Sequence, residues 1–529
     1  MSEAASAPAS AAPSGGATGT GGTAVGVAAA PLNRVLITAS VMAASIMQAI
    51  DTTIATIALP HMQGSVSGTQ DQMVWVLTSY IVSAAIMTPL SGWLAVRFGR
   101  KRVFFMSVVS FTIASALCGM ADSLFQIVLF RTLQGLAGAA LLPLSQAILL
   151  DINPKEKHGR AMAIWGMGVV LGPILGPLLG GWLTEDYSWR WVFFVNVPFG
   201  ILAAIGIVAT LPETKKIKAS FDYFGFTTLS LGIGALQLML DRGELKDWFS
   251  STEIQVEAFV AAIGLFLFIV HTATAEHTFI SRGLFRDRNF VIGNIFIFMI
   301  GVVLFATLAL FPPMLQGLMG YPVLAAGLVT APRGIGTWVS MAVVGRLTGK
   351  VDARWLIALG FGLGAFSLWQ MSGFSPQIDS SPIVSSGIIQ GFGTGLAYVS
   401  LTVVAFVTLP QSLRNEGTAF FNLMRNVGSS VGISVIQAFV TNGSTRAHAT
   451  LTETLTPYNA IAAQPQIYTQ MDSTNGLIAL NQTVVTQASW ISYLNAFHLM
   501  MILTAATIPL ILFARSAKQP RGAKPVIAE

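Results

Sequence analysis

Charge is what this chain has least of. Only 10% of its 529 residues are Asp, Glu, Lys or Arg, against about 25% in a soluble globular protein. That shortage excludes a water-covered globule, because too little polar surface exists to wrap a core of this size. A hydrophobic content of 53% and a mean hydropathy of +0.68 exclude disorder for most of the chain. Cysteine is nearly absent. Cys118, in an apolar run, excludes an intrachain disulfide and a multi-cysteine metal site. No His/Asp/Glu grouping has metal-ligand spacing, and no nucleophile–base constellation is present, so the chain reads as a non-enzyme without metal or cofactor. Gly349-Lys350 lacks the upstream glycine spacing and the following Ser/Thr of a phosphate-binding loop. GFGTG at 391–395 lies in an apolar run, where close helix packing explains it. Energy for any transport must therefore come from an ion gradient. Residues 1–30 hold no Lys or Arg, unlike a secretory signal; residues 1–31 read as a disordered cytoplasmic tail.

What the chain does have is apolar length. A membrane-spanning helix needs about 20 apolar residues, and fourteen candidates occur, near 34–60, 73–94, 103–121, 124–150, 160–183, 192–211, 222–240, 255–275, 290–315, 324–345, 355–372, 383–409, 417–440 and 492–514. The expected fold is all-α and embedded in a lipid bilayer. The net charge of +6 is spread as short basic clusters between apolar runs, a topology signal rather than a nucleic-acid surface. With the N-terminus inside, only Arg190, Arg242, Lys246 and Arg446 fall outside, and Arg131, Arg333 and Arg425 lie within spans. Every other Lys and Arg is cytoplasmic, as are both termini; residues 516–529 form a basic tail. A single missed span would invert all later loops and destroy this bias. Residues 441–490 stand apart as a long polar outer loop, of which 480–490 can continue as helix into the last span. Asp241, Glu244 and Asp247 read as solvated outer-loop residues.

Ionisable groups inside spans are expensive and mark function or pairing. Asp51 lies nine residues before Pro60, roughly 13 Å below the outer end of span one, and Arg131 lies seven residues into span four, roughly 10 Å deep. The two opposite charges share a depth, which makes them a proton-coupling pair or a permanent structural pair. Gln48, Gln134, Asn422, Arg333 and Arg425 are the candidate lining of a substrate cavity, with helix packing the competing role for the two arginines. Glu416 reads as a helix N-terminal charge. Gly168, Gly172, Gly176 and Gly180 recur every fourth residue on one helix face, with Pro173, Pro177 and Gly181 beside them. Small residues at that spacing let helices approach closely, and each proline frees a backbone carbonyl; the expectation is a smooth, kinked face at a bundle interface.

Six stretches in order resemble the major facilitator superfamily, in its fourteen-span drug:proton antiporter branch of EmrB/QacA type, closest to EmrB-like inner-membrane components of tripartite pumps. They are QAIDTTIATIALP, GWLAVRFGRKR at 92–102, RTLQG at 131–135, GVVLGPILGPLLGG, SWRWVFFVNVPFG at 188–200 and NLMRNVGSSVGIS. The resemblance covers residues 32–515. It implies a six-helix bundle over 32–211, two inserted helices over 212–280, and a second six-helix bundle over 281–515. It implies proton transfer at Asp51 and Arg131, an antiporter motif at the glycines and prolines of span five, and a cytoplasmic gate loop with Gly92, Arg97, Gly99, Arg100 and Lys101. Val96 stands where that loop usually carries an Asp, so the latch is weaker or uses other partners. TRAHATLTETLTPYN resembles the loop of members that work with a periplasmic adaptor and an outer-membrane channel, which makes His448, Leu451 and Tyr458 candidate adaptor contacts and implies a Gram-negative inner membrane. The expected activity is proton-coupled efflux of amphipathic, lipophilic compounds. Two alternatives stay open: a substrate-specific exporter or importer of a siderophore, fatty acid or metabolite, and a non-transporting membrane receptor or scaffold.

Overall fold

A computed structural model of the chain describes residues 33–515 except 67, 215, 217–219, 349 and 455–473. The N-terminal helices are α1 Arg34–Val66, α2 Gln70–Phe98, α3 Arg100–Gly119, α4 Leu124–Gly138, α5 Leu141–Ile152, α6 His158–Asp186, α7 Trp191–Phe194 and α8 Asn196–Thr210. After them come α9 Tyr223–Arg242 and α10 Thr252–Thr274. The C-terminal helices are α11 Arg282–Arg286, α12 Arg288–Pro313, α13 Val323–Thr330, α14 Pro332–Leu347, α15 Ala353–Ser372, α16 Ser380–Val407, α17 Arg414–Thr454 and α18 Thr474–Thr507. Helix starts follow local chemistry. Thr69 and Gln72 form a reciprocal capping box before α2. Ser123, Asp222 and Asp287 each accept a backbone N–H at the start of α4, α9 and α12. Gly99, at φ +93°, makes the sharp join between α2 and α3.

In lipid, packing and small residues replace the hydrophobic drive between helices. The α15–α16 contact shows this at Gly360 and Gly393, where an added Cβ on either would stand 2.5 Å from the other's carbonyl oxygen. The largest fully buried side chains are apolar, such as Trp165, Phe104 and Phe296, with one exception: Arg131. Exposed Phe, Leu, Ile and Trp on α8, α10 and α15 face outward, as lipid-facing surfaces do.

Twelve helical segments among the described residues are long and apolar enough to cross a membrane. Two of the fourteen expected spans fall outside that set. The 324–345 segment is divided into α13 and α14 at Ala331, leaving pieces of 8 and 16 residues. The 417–440 segment belongs to α17 and carries Asn422, Arg425 and Asn426. Apolar length therefore supports twelve spans, not fourteen.

The polar stretch expected as a loop over 441–490 is helical where it is described, and the helix expected over 480–490 is present. α17 runs on to Thr454 over 41 residues, and α18 begins at Thr474 and covers 34. At 1.5 Å per residue these are rods of about 62 and 51 Å, well beyond a hydrocarbon core of about 30 Å. The two extensions pair through polar groups: Ser444 Oγ lies 3.1 Å from Ser489 Oγ, and His448 Nε2 lies 3.0 Å from Asn481 Oδ1. Absence of an apolar run had suggested a loop, but a two-helix projection needs only a partner helix. Ser444→Cys with Ser489→Cys is expected to form an intramolecular disulfide in near-complete yield under mild oxidation, read by mass spectrometry of peptides. A mobile loop would give slow, partial pairing.

Candidate functional site

The deepest polar site gathers on α1, whose Asp51 is fully buried. Arg131 and Gln134, three residues apart on α4, project from one face. Arg131 Nη1 donates to Asp51 Oδ2 at 2.9 Å, and Gln134 Nε2 donates to Asp51 Oδ1 at 2.8 Å. Asn196, at the start of α8, is the third donor to the carboxylate and the second to Oδ1, at 2.7 Å. The guanidinium also donates to Gln134 Oε1 at 2.8 Å and, through Nε, to the Val76 carbonyl at 3.2 Å. It stands 4.2 Å over the Tyr80 ring, a cation–π contact strengthened by desolvation. Ser115 of α3 accepts from Asn196 at 3.0 Å and donates to the Phe193 carbonyl at 2.9 Å. Cys118 lies 3.7 Å from Gln134 Oε1.

The shared depth of Asp51 and Arg131 thus becomes direct contact. Asn196, Ser115 and Tyr80 were missed. Asn196 carried a signal, as a lone amide in the apolar run VFFVNVPFG. A buried ion pair is tolerable only with good geometry and satisfied neighbours, and five helices supply them here. Oδ1 already accepts two donors and Oδ2 one, so the carboxylate is held by side chains from α4 and α8.

The candidate cavity residues do not form one cluster. Gln48 is buried one turn before Asp51, its Oε1 without a hydrogen-bond partner. Asn422 of α17 donates to Gln146 Oε1 of α5 at 2.6 Å, joining the N- and C-terminal halves. Gln146 reaches Tyr398 Oη at 3.5 Å, and the Tyr398 ring stacks on Trp165 at 6.3 Å. Arg333 is separate: it donates to Gln390 Oε1, and Gln390 donates to Thr307 Oγ1 at 3.3 Å. Arg425 donates to its neighbour Asn426 at 3.2 Å and also lies beside the Tyr398 hydroxyl. Neither arginine has a carboxylate salt-bridge partner among the described residues.

At the gate loop Arg100 is buried. It donates to Asp151 Oδ2 and to Asn415 Oδ1, each at 2.6 Å, while Arg414 donates to Asp151 Oδ1 at 2.5 Å. Asp151 thus bridges arginines from both halves and supplies a carboxylate that Val96 does not. Gly92 lets α2 touch α17, since a Cβ there would stand 3.0 Å from Glu416 Cα. Lys101 donates to the Val208 carbonyl at 2.8 Å; Arg97 is exposed in the last turn of α2. Glu416 lies in the first turn of α17 and accepts the Ser281 N–H at 3.2 Å. Asp241 is half-buried and accepts from Thr78 of α2, and Glu244 accepts from Trp248 at 3.0 Å, so these two are bound to the protein rather than merely solvated. Of the adaptor candidates, His448 and Leu451 lie on the α17 extension, and Tyr458 lies outside the described residues.

The α6 glycine stripe corrects an expectation. It packs on α1 of the same half, not between halves. An added Cβ would meet Met42 from Gly168, the Ala49 backbone at 2.4 Å from Gly172, Thr53 from Gly176 and Ile54 from Gly180. Gly181 faces open space. Thr53 Oγ1 donates to the Gly172 carbonyl at 3.0 Å, and the backbone stays helical through Pro173 and Pro177. The stripe therefore backs the turns of α1 that carry Asp51. Gly172→Leu is expected to destabilise the fold by about 3 kcal/mol, the upper end of overpacking costs. A thermal melt in detergent checks this, and an unchanged Tm would refute the close α1–α6 contact.

The sequence matches the Major Facilitator Superfamily over residues 41–433. It is 35% identical over 470 residues to the multidrug export protein EmrB of Escherichia coli K12, covering 86% of this chain and 91% of that one. It is 34% identical over 474 residues to the fatty acid resistance protein FarB of Neisseria gonorrhoeae, covering 89% and 94%. In fold it is similar to the proton:xylose symporter XylE, with a TM-score of 0.59 at 15% identity over 92% of this chain and 96% of that one. The helices and the buried charged site define a membrane-spanning protein of the transporter class. The chain belongs to the Major Facilitator Superfamily.

Proposed function

We propose that this protein is a proton-driven exporter of amphipathic, lipophilic compounds. The observation that carries the reading is the Asp51–Arg131–Gln134–Asn196 cluster, an acid buried from water and held by donors from two other helices. The relatives named for multidrug export support the substrate class. In this reading the chain crosses the inner membrane of a Gram-negative bacterium fourteen times, with both termini cytoplasmic. The segments 324–345 and 417–440 cross as polar or broken helices, tolerated because polar residues such as Arg333 and Asn422 are buried in protein. Two six-helix bundles rock about a midplane cavity, with α9 and α10 inserted between them, and the proton gradient replaces any cofactor. The Arg100–Asp151–Arg414 clasp holds the cytoplasmic ends together in this conformation. The paired α17 and α18 extensions support docking of a periplasmic adaptor leading to an outer-membrane channel.

A narrower reading, export of fatty acids or similar amphipathic acids, is favoured by one feature. Arg333 is buried and has no carboxylate partner among the described residues, and a buried cation without one is costly; an anionic substrate would supply the missing charge. Both readings are tested by purified protein in proteoliposomes with internal pH recorded, challenged with lipophilic cations, uncouplers and fatty acids. Several compounds should drive proton movement through wild type and none through Asp51→Asn. Proton movement that persists in Asp51→Asn would remove Asp51 from the coupling step, and a response to fatty acids alone would select the narrower reading.

A further inference from the structure

The two bundles meet along two seams, and the structure treats them differently. One is the α2–α17 seam. Across its outer half lies α9, in contact with both helices. The Gln237 carboxamide and the Ser430 hydroxyl exchange hydrogen bonds at 2.7 and 2.9 Å, and Ser434 Oγ donates to the Leu240 carbonyl at 2.5 Å. On the other flank Thr78 of α2 donates to Asp241, and Gly234 brings α9 against Ile86 and Val82. Gln237, Ser434 and Thr78 are buried, so these polar links are shielded from lipid and water. The inserted helix is thus bonded to both walls and covers the seam from the bilayer side.

The second seam, between α6 and α14, has the opposite character. Gly159 meets Thr348, Gly345 meets Ala163, Gly166 meets Met341 and Gly334 meets Ile174, in one antiparallel register. From 159 to 174 this contact runs about 22 Å along α6. Among the described residues no side-chain hydrogen bond or ion pair joins α6 to α14. Met341 and Ala163 in the contact are buried, so labelling there reports opening of the seam, while Leu178 and Trp338 beside them are exposed. The side chain buried behind it is Trp165, stacked on Tyr398 beside Gln146 and Asn422. Small residues with no polar bonds part without leaving orphaned donors in lipid.

We infer that lipophilic substrates enter from the bilayer through the α6–α14 seam, and that α9 closes the α2–α17 seam against them. The inserted hairpin is then a stopper that gives the transporter one lateral door. This inference rests on the exporter reading above, but its test reads the location of the substrate rather than proton coupling.

The test uses full-length protein in proteoliposomes carrying Met341→Cys, Ala163→Cys on the facing wall, or Ser434→Cys beneath α9. Each is treated with a pyrene maleimide that partitions into the bilayer. Native Cys118, fully buried, gives the background. The competitor is oleate or tetraphenylphosphonium, whichever drives proton movement in wild type. At about four times its Kd the unoccupied fraction falls about fivefold. Met341→Cys, or Ala163→Cys if the first misfolds, should label and be slowed by about that factor, while Ser434→Cys stays unlabelled. Labelling of Ser434→Cys with protection by the competitor would overturn the proposal. So would seam labelling that the competitor leaves unchanged, or no seam labelling in a variant that still transports. If neither competitor moves protons in wild type, the exporter reading fails instead.

Discussion

A carboxylate and a guanidinium sealed away from water constrain the whole N-terminal half. Asp51 and Arg131 cannot be solvated where they lie, so every remaining donor and acceptor must be met by protein. Gln134 and Asn196 meet the carboxylate, while the Val76 carbonyl and Tyr80 ring meet the guanidinium. These groups come from α1, α2, α4 and α8, with Ser115 of α3 behind them. Displacing any of these helices strips a charged group of a partner. The site is therefore both the costliest point of the fold and the one most sensitive to helix position.

That sensitivity has a mechanical route. The α6 glycines bring that helix onto the α1 turns at Ala49 and Thr53, flanking Asp51. The other side of α6 bears on α14 at Met341 and Gly345. α6 is therefore in direct contact with both α14 of the other half and the α1 turns that carry the acid. The motif expected at a bundle interface instead backs the turns of α1 that carry Asp51.

How much of this was readable in the residues depends on what each signal measures. Rise per residue placed Asp51 and Arg131 at one depth because depth is a one-dimensional quantity, and their contact followed. Four-residue periodicity identified the α6 face but not its occupant, since spacing says nothing of what lies opposite. Asp151 was overlooked at the end of a span, where an acid looks solvated until Arg100 and Arg414 are seen to converge on it. Helix over 441–454 and 474–479 was not expected, because hydropathy detects lipid contact, not helix, and a polar helix beside another polar helix carries no apolar period. The same limit acts in reverse at 417–440, where Arg425 and its neighbours lower the apolar signal of a helix that is continuous.

α17 is one uninterrupted helix from Arg414 to Thr454. Its first residue grips Asp151, its middle carries Asn422 and Ser430, and its far end holds His448 against α18. A rod of about 62 Å turns a pivot of about 5° at the Arg414 end into a displacement of about 5 Å at the tip. The projecting end is then a pointer. Any tilt that loosened the salt-bridged clasp would be magnified at that tip, about 60 Å away.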